Sequence, residues 1–259
     1  MDLCYTAGQS VLVTGGSRGI GAATVRAFAA EGVGRIHVAA RDSESVARLS
    51  REVKGTEVVG HVLDLSRSGD RGQLSSVLDE VDILVNNAGA IPQGALEAAD
   101  LAAWRRAWDL KVWGYLELTQ LALAAMTERG TGVVVNVVGV SGERPDVGYL
   151  AGSMANSALM TLTRTVGAYS LDHGVRVVGV NPGPVETSRL TDALRTRAAT
   201  EFGDSGRWAD YVRSYPAQRI ATAEEVADTV VFLASARSGY TSGCIVTLDG
   251  GMAWRGRAL

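Results

Sequence analysis

A short apolar run, Ser10-Val11-Leu12-Val13, passes directly into Thr14-Gly15-Gly16-Ser17-Arg18-Gly19-Ile20-Gly21 and then into an alanine-rich helical pattern, Ala22 to Glu31. No other feature constrains the chain as much. Glycines at 15, 19 and 21 allow a tight turn, a close backbone approach and a snug helix–strand contact. The free amides at the helix start then face an anion. Glycines also serve ordinary turns, but strand, turn and helix in this order point to a pyrophosphate cradle.

Apolar runs alternate with helical patterns through the rest of the chain. After Arg35–Ala40 comes a polar helix near 45–53; after Glu57–Asp64, a helix around 72–78. Asp82–Asn86 precedes a long helix through Trp104–Arg129, and Gly132–Val138 precedes a helix near 153–172. Val175–Val180, a helix over Ala223–Ala234 and a last strand, Cys244–Leu248, complete the series. Strands this uniformly apolar are buried on both faces, so the pattern predicts an α/β fold: a doubly wound, Rossmann-like sheet of seven parallel strands. No repeat or low-complexity linker divides residues 1–259, which read as one dinucleotide-binding domain. The polar, helix-compatible stretch 186–216 leaves the carboxyl edge of the sixth strand. Ligands of open parallel sheets bind at that edge, so the stretch reads as a lid over a small-molecule substrate.

Composition excludes several classes. The net charge is −3 and the basic residues are scattered, which argues against a nucleic-acid surface. Cys4 and Cys244 form no framework and no metal spacing, and His37, His61 and His173 are isolated, so no metal site is expected. No apolar stretch approaches a membrane span. A cytoplasmic location is the expectation.

Beyond the glycine turn, Asn86-Asn87-Ala88-Gly89, Asn181-Pro182-Gly183 with Val185 and Thr187, the run Pro216–Ala227, and Asp249-Gly250-Gly251 follow in order. With these motifs the whole chain resembles the short-chain dehydrogenase/reductase family. The resemblance implies a nicotinamide cofactor held by Gly15, Ser17, Arg18, Ile20 and Gly21, by Asp64 and Leu65 beside the adenine, by Asn87, Ala88 and Gly89, and by Pro182, Gly183, Val185 and Thr187 near the carboxamide. It also implies a homo-oligomer, dimer or tetramer, to which Trp104, Trp108 and Trp113 and the tail Met252–Trp254 with Arg255 and Arg257 are suited. The tryptophans read equally as core.

Cofactor choice turns on charge. NAD-preferring relatives place an acid at the end of the second strand; here the chain reads Ala39-Ala40-Arg41-Asp42. Arg41 and Arg18 together suit a 2′-phosphate, so NADP(H) is expected over NAD(H). The alternatives are that Arg41 pairs with Asp42 or Glu44, or that Asp42 itself reaches the ribose.

At the reaction centre the sequence departs from the family. Counting from Asn136 and from Leu162-Thr163-Arg164, the positions of the family's serine, tyrosine and lysine fall on Gly139, Gly152 and Asn156, and its helper asparagine on Lys111. The chain has 23 arginines and two lysines, Lys54 and Lys111. Lysine and asparagine thus look exchanged. Lys111 with Asn156 either orders the nicotinamide ribose or polarises a substrate oxygen, its pKa lowered by burial; alternatively Lys111 is tied to Glu117 or Asp109. Tyr149, the nearest phenol, either supplies the proton or lines the pocket. Ser141, Glu143 and Arg144 share its loop, and Trp208 and Tyr211 offer substrate contacts from the lid. Three functions fit these residues: hydride transfer on a carbonyl or alcohol of a small metabolite, a cofactor-binding regulator without turnover, and non-redox chemistry in the same pocket.

Overall fold

The computed structural model describes residues 3–255, so Arg257 lies outside the described residues. The chain runs β1 (Ser10–Thr14), α1 (Gly19–Ala30), β2 (Arg35–Ala40), α2 (Ser43–Glu52), β3 (Glu57–Val62), α3 (Ser68–Gly72), α4 (Ser75–Glu80) and β4 (Ile83–Asn86). It continues with α5 (Leu101–Trp108), a single π turn at Asp109–Trp113, α6 (Gly114–Arg129), β5 (Gly132–Val137), α7 (Leu150–Ser170) and β6 (Val175–Pro182). Then come α8 (Ser188–Phe202), α9 (Ala209–Val212), α10 (Ala223–Ala234) and β7 (Ile245–Leu248). All seven strands are parallel, in the order β3-β2-β1-β4-β5-β6-β7.

Alternation within the apolar runs builds two cores. Val11, Val13, Ile36, Val38, Ile83, Val85, Val135 and Val178 pack on the side of α1, α2 and α10. Leu12, Ala39, Leu84, Val134 and Val177 face the opposite side, with Leu78 of α4 and Leu118, Ala122 and Met126 of α6. A strand that must satisfy both layers has no polar face, which is why these runs read as continuous rather than alternating. Strand order reverses between β1 and β4, opening a crevice at their carboxyl ends.

Element boundaries differ from expectation where side chains intervene. The second helix begins at Ser43 because the Asp42 carboxylate caps it, accepting from the amides of Glu44 (3.1 Å) and Ser45 (3.2 Å). Asp100 caps α5 in the same way, so that helix starts three residues before Trp104. The expected helix at 72–78 is two short helices, and β3 ends at Val62, where the Asp64 amide turns to the Asp70 carboxylate (2.9 Å). The long helix expected through 104–129 is interrupted by the π turn, and Lys111 is its central residue. Such turns are uncommon and concentrate at functional sites.

Candidate active site

The glycine turn lies against the end of β4. Thr14 Oγ1 accepts from the amides of Asn87 (2.9 Å) and Ala88 (3.1 Å), and Asn87 Nδ2 donates to the carbonyls of Thr14 (2.9 Å) and Gly15 (3.2 Å). A β-carbon at residue 21 would overlap the Gly15 carbonyl oxygen and stand 2.6 Å from Asn87 Nδ2, so helix and turn approach too closely for any side chain. The twelve-residue α1 starts without a side-chain cap and without an acid in its first turn, as α7 also does, but α1 alone of the two is entered through a glycine turn. Its free amides are matched to a diphosphate, and the turn therefore fits a dinucleotide.

Every residue expected to hold the cofactor lies along one edge of the sheet: Gly15, Ser17, Arg18, Ile20 and Gly21 after β1, Arg41 after β2, Asp64 and Leu65 after β3, and Asn87–Gly89 after β4. Pro182 ends β6, and Gly183, Val185 and Thr187 lead into α8. Thr187 caps α8 and also rests on the glycine turn, its Cγ2 being 3.1 Å from where a Gly19 β-carbon would sit. Burial raises the Asp64 carboxyl, but the Ser66 hydroxyl and amide and the Arg41 and Arg67 charges outweigh it and hold the group below the usual range. The Asp42 carboxylate is occupied by its cap, reinforced by a 2.6 Å bond from the Ser45 hydroxyl. Among the described residues Arg41 forms no ion pair with Asp42 or Glu44.

Lys111 reaches the carbonyl of Val138 just past β5, Asn156 lies against Gly139 one residue further on, and Tyr149 stands beside Arg189. Lys111 is buried, its stem passing over Gly89, and Nζ donates to the Val138 carbonyl oxygen at 2.6 Å. It pairs with neither Glu117 nor Asp109, in contrast to that alternative. Glu117 receives both Nε and Nη2 of Arg71, at 2.6 and 2.8 Å, while Arg71 Nη1 donates to the Asp109 carbonyl at 3.1 Å. A buried arginine thus braces the π turn and consumes the acid that Lys111 would otherwise meet. Burial, and next the Arg189 charge, lower the Lys111 ammonium to about 7.

Asn156 donates from Nδ2 to Ser141 Oγ at 2.8 Å, and its buried Oδ1 has no hydrogen-bond partner among the described residues. Gly139 has φ 135°, a conformation that glycine alone tolerates, and a β-carbon there would stand 2.8 Å from Asn156 Nδ2. Tyr149 precedes α7, and its ring folds back onto Gly152 into space that a β-carbon at 152 would occupy. Burial pushes the Tyr149 phenol up, against the opposing pull of Arg189.

Several expected contacts are committed elsewhere. Glu143 accepts from the Thr247 hydroxyl (2.8 Å), and Arg144 donates to the Met252 carbonyl (2.6 Å). Trp208 meets Arg195, while Tyr211 bonds Glu201 and stacks with Phe202 and Arg197, so both fasten the 186–216 segment to itself. Trp104 and Trp108 pack with Tyr149 around Ala107, Ala151 and Ala155; Trp113 is half exposed. Arg189 and Arg71 carry no local signal, because their partners lie across the fold at separations from which no local pattern can be read.

An open parallel sheet with an uncapped, glycine-entered helix at its switch point defines a dinucleotide-binding α/β protein. A family model described as Enoyl-(Acyl carrier protein) reductase matches residues 15–253. The chain belongs to the short-chain dehydrogenase/reductase family. It is 32% identical to mouse (Mus musculus) L-xylulose reductase, covering 97% of this chain and 98% of that protein. It is 31% identical to cis-4-hydroxycyclohexanecarboxylate dehydrogenase of Sinomonas cyclohexanicum, over 93% and 94% of the two chains. The solved L-sorbose reductase of Gluconobacter frateurii, in complex with NADPH and L-sorbose, superposes with a TM-score of 0.91 at 26% identity, covering 98% of this chain and all of that one. No described helix is long and apolar enough to cross a membrane.

Proposed function

We propose that this protein is an NADP(H)-dependent oxidoreductase acting on the carbonyl or alcohol of a small metabolite, with Lys111 as its proton donor and acceptor. The observation that carries the reading is the state of Lys111: buried, bonded to a main-chain carbonyl, free of any carboxylate, and lowered to about 7. A general acid works best with a pKa near the working pH. Tyr149, displaced upward by burial, is poorly matched to that task and serves as pocket wall and hydrogen-bond donor. The family's tyrosine and lysine positions hold Gly152 and Asn156, which supports a rearranged centre.

Bound nicotinamide supplies or accepts the hydride. Lys111 Nζ then gives a proton to the substrate oxygen in reduction and takes it back in oxidation, with Val138 O fixing the nitrogen. Asn156 Oδ1, lacking a donor, accepts from a hydroxyl of the nicotinamide ribose. Arg18 and Arg41 hold the 2′-phosphate, which the engagement of Asp42 in its helix cap supports. Segment 186–216 closes over the substrate. The chain works as a homo-oligomer, for which the exposed Trp113 and Trp254 provide apolar contact area.

A regulator without turnover is the second reading, favoured by the absence of a side chain at both Gly139 and Gly152. A panel of carbonyls and alcohols with NADPH and NADH, on the native protein and on Lys111→Met, separates the two. Turnover that falls by about 100-fold or more in Lys111→Met, with NADPH affinity kept, supports catalysis. Firm cofactor binding with no turnover by the native protein supports the regulator.

A further inference from the structure

Arg189 lies in the first turn of α8 and reaches across the cleft to the opposite wall. Its Nη1 donates to the Gly89 carbonyl at 3.1 Å and its Nη2 to the Ile91 carbonyl at 2.6 Å. These two contacts fix the plane and direction of an otherwise flexible side chain. Both acceptors are neutral, and among the described residues no carboxylate pairs with Arg189. The guanidinium lies beside the Tyr149 hydroxyl, with which it shares a hydrogen bond, and close enough to Lys111 to affect its titration. A guanidinium so placed is poised to receive a planar anion on its remaining N–H groups, and the N-terminal end of α8 adds to the positive potential.

We propose that Arg189 selects the substrate, and that the substrate is a small keto or hydroxy acid whose carboxylate is bound by Arg189 while its carbonyl or hydroxyl group lies at Lys111. This rests on the oxidoreductase reading given above. A carboxylate is favoured over a phosphate because the cleft offers one permanent cation. The distance from a strapped guanidinium to Nζ then sets which chain length brings the reacting oxygen to the proton donor.

The test compares acids with their neutral twins: levulinate against levulinamide as one pair, dihydroxyacetone phosphate against dihydroxyacetone as the other. Each is assayed for turnover and, independently, for thermal shift of the protein saturated with NADP+. Native protein is expected to prefer levulinate over its amide by about 10- to 100-fold in kcat/KM, the span of one charge-assisted contact, with no matching preference for the phosphate. Arg189→Gln removes that preference, bringing acid and amide to the same kcat/KM, and leaves NADPH affinity unchanged. If nothing is turned over, the oxidoreductase reading fails, yet a levulinate shift abolished by Arg189→Gln still supports the anion site. Equal handling of acid and amide in both assays overturns the proposal. So does a preference for the phosphate alone, or loss of NADPH affinity in Arg189→Gln, which assigns the guanidinium to the cofactor.

Discussion

The ring of Tyr149 lies so close to the Cα of Gly152 that a β-carbon on residue 152 would overlap its Cε1 and Cζ atoms. The two positions are therefore coupled: the phenol three residues earlier fills the volume where a side chain at 152 would start. Gly152→Ala is expected to displace the ring at a cost of about 1–3 kcal/mol, the usual penalty of overpacking. Tyr149→Phe keeps the ring and stays within about 1 kcal/mol of the native protein. Urea unfolding of both variants checks the pair.

Placing a serine at position 139 is expected to harm the fold. The φ of 135° at Gly139 lies where a non-glycine residue is strained, and the new β-carbon would crowd Asn156 Nδ2. Gly139→Ser should lower stability by about 1–3 kcal/mol. An unchanged urea midpoint would falsify this account of the turn.

The proposed proton delivery from Lys111 implies a pH signature for the reaction. Reduction needs the ammonium, so its kcat/KM should fall as pH rises through about 7; oxidation needs the amine and should rise over the same range. Stability has its own sign. The folded-state pKa lies below the unfolded value of 10.5, so the unfolded chain holds more protons between the two, and stability climbs with pH across that interval. Lys111→Met abolishes the burial cost. It should melt roughly 5 °C above the native protein near about pH 6, with the gap narrowing toward about pH 10.

The proposed preference for NADP(H) puts selection of the dinucleotide on Arg41 and not on Asp42. Arg41→Ala is expected to weaken NADPH binding by about tenfold or more while NADH binding stays within about threefold. Asp42→Ala should leave this ratio alone and cost about 1 kcal/mol of stability through loss of the α2 cap. Fluorescence titration with both cofactors and thermal melts distinguish the two effects.

Much of the molecule was legible in the order of residues. Apolar runs alternating with helical patterns imposed the parallel sheet, since a strand covered by helices on both sides must be apolar throughout; Val11 and Leu12 serve opposite cores. The turn from Thr14 to Gly21 announced its place because glycine is required wherever helix and strand backbones nearly touch. Helix starts at Ser43 and Leu101 were missed although Asp42 and Asp100 signal them locally, as caps. The π turn at Lys111 carries no such mark.

Neighbours along the chain were enough for the class of fold and the glycine turn after β1, because strand burial and helix spacing follow from them; they also put lysine, glycine, glycine and asparagine at positions 111, 139, 152 and 156. What those residues do to one another came from the packing of distant segments. It gave Glu117 to Arg71, left Lys111 with a carbonyl in place of an acid, folded Tyr149 over Gly152 and strapped Arg189 across the cleft. Those outcomes depend on distances between groups far apart in sequence, and on the loss of water around an ammonium, neither of which a local pattern encodes.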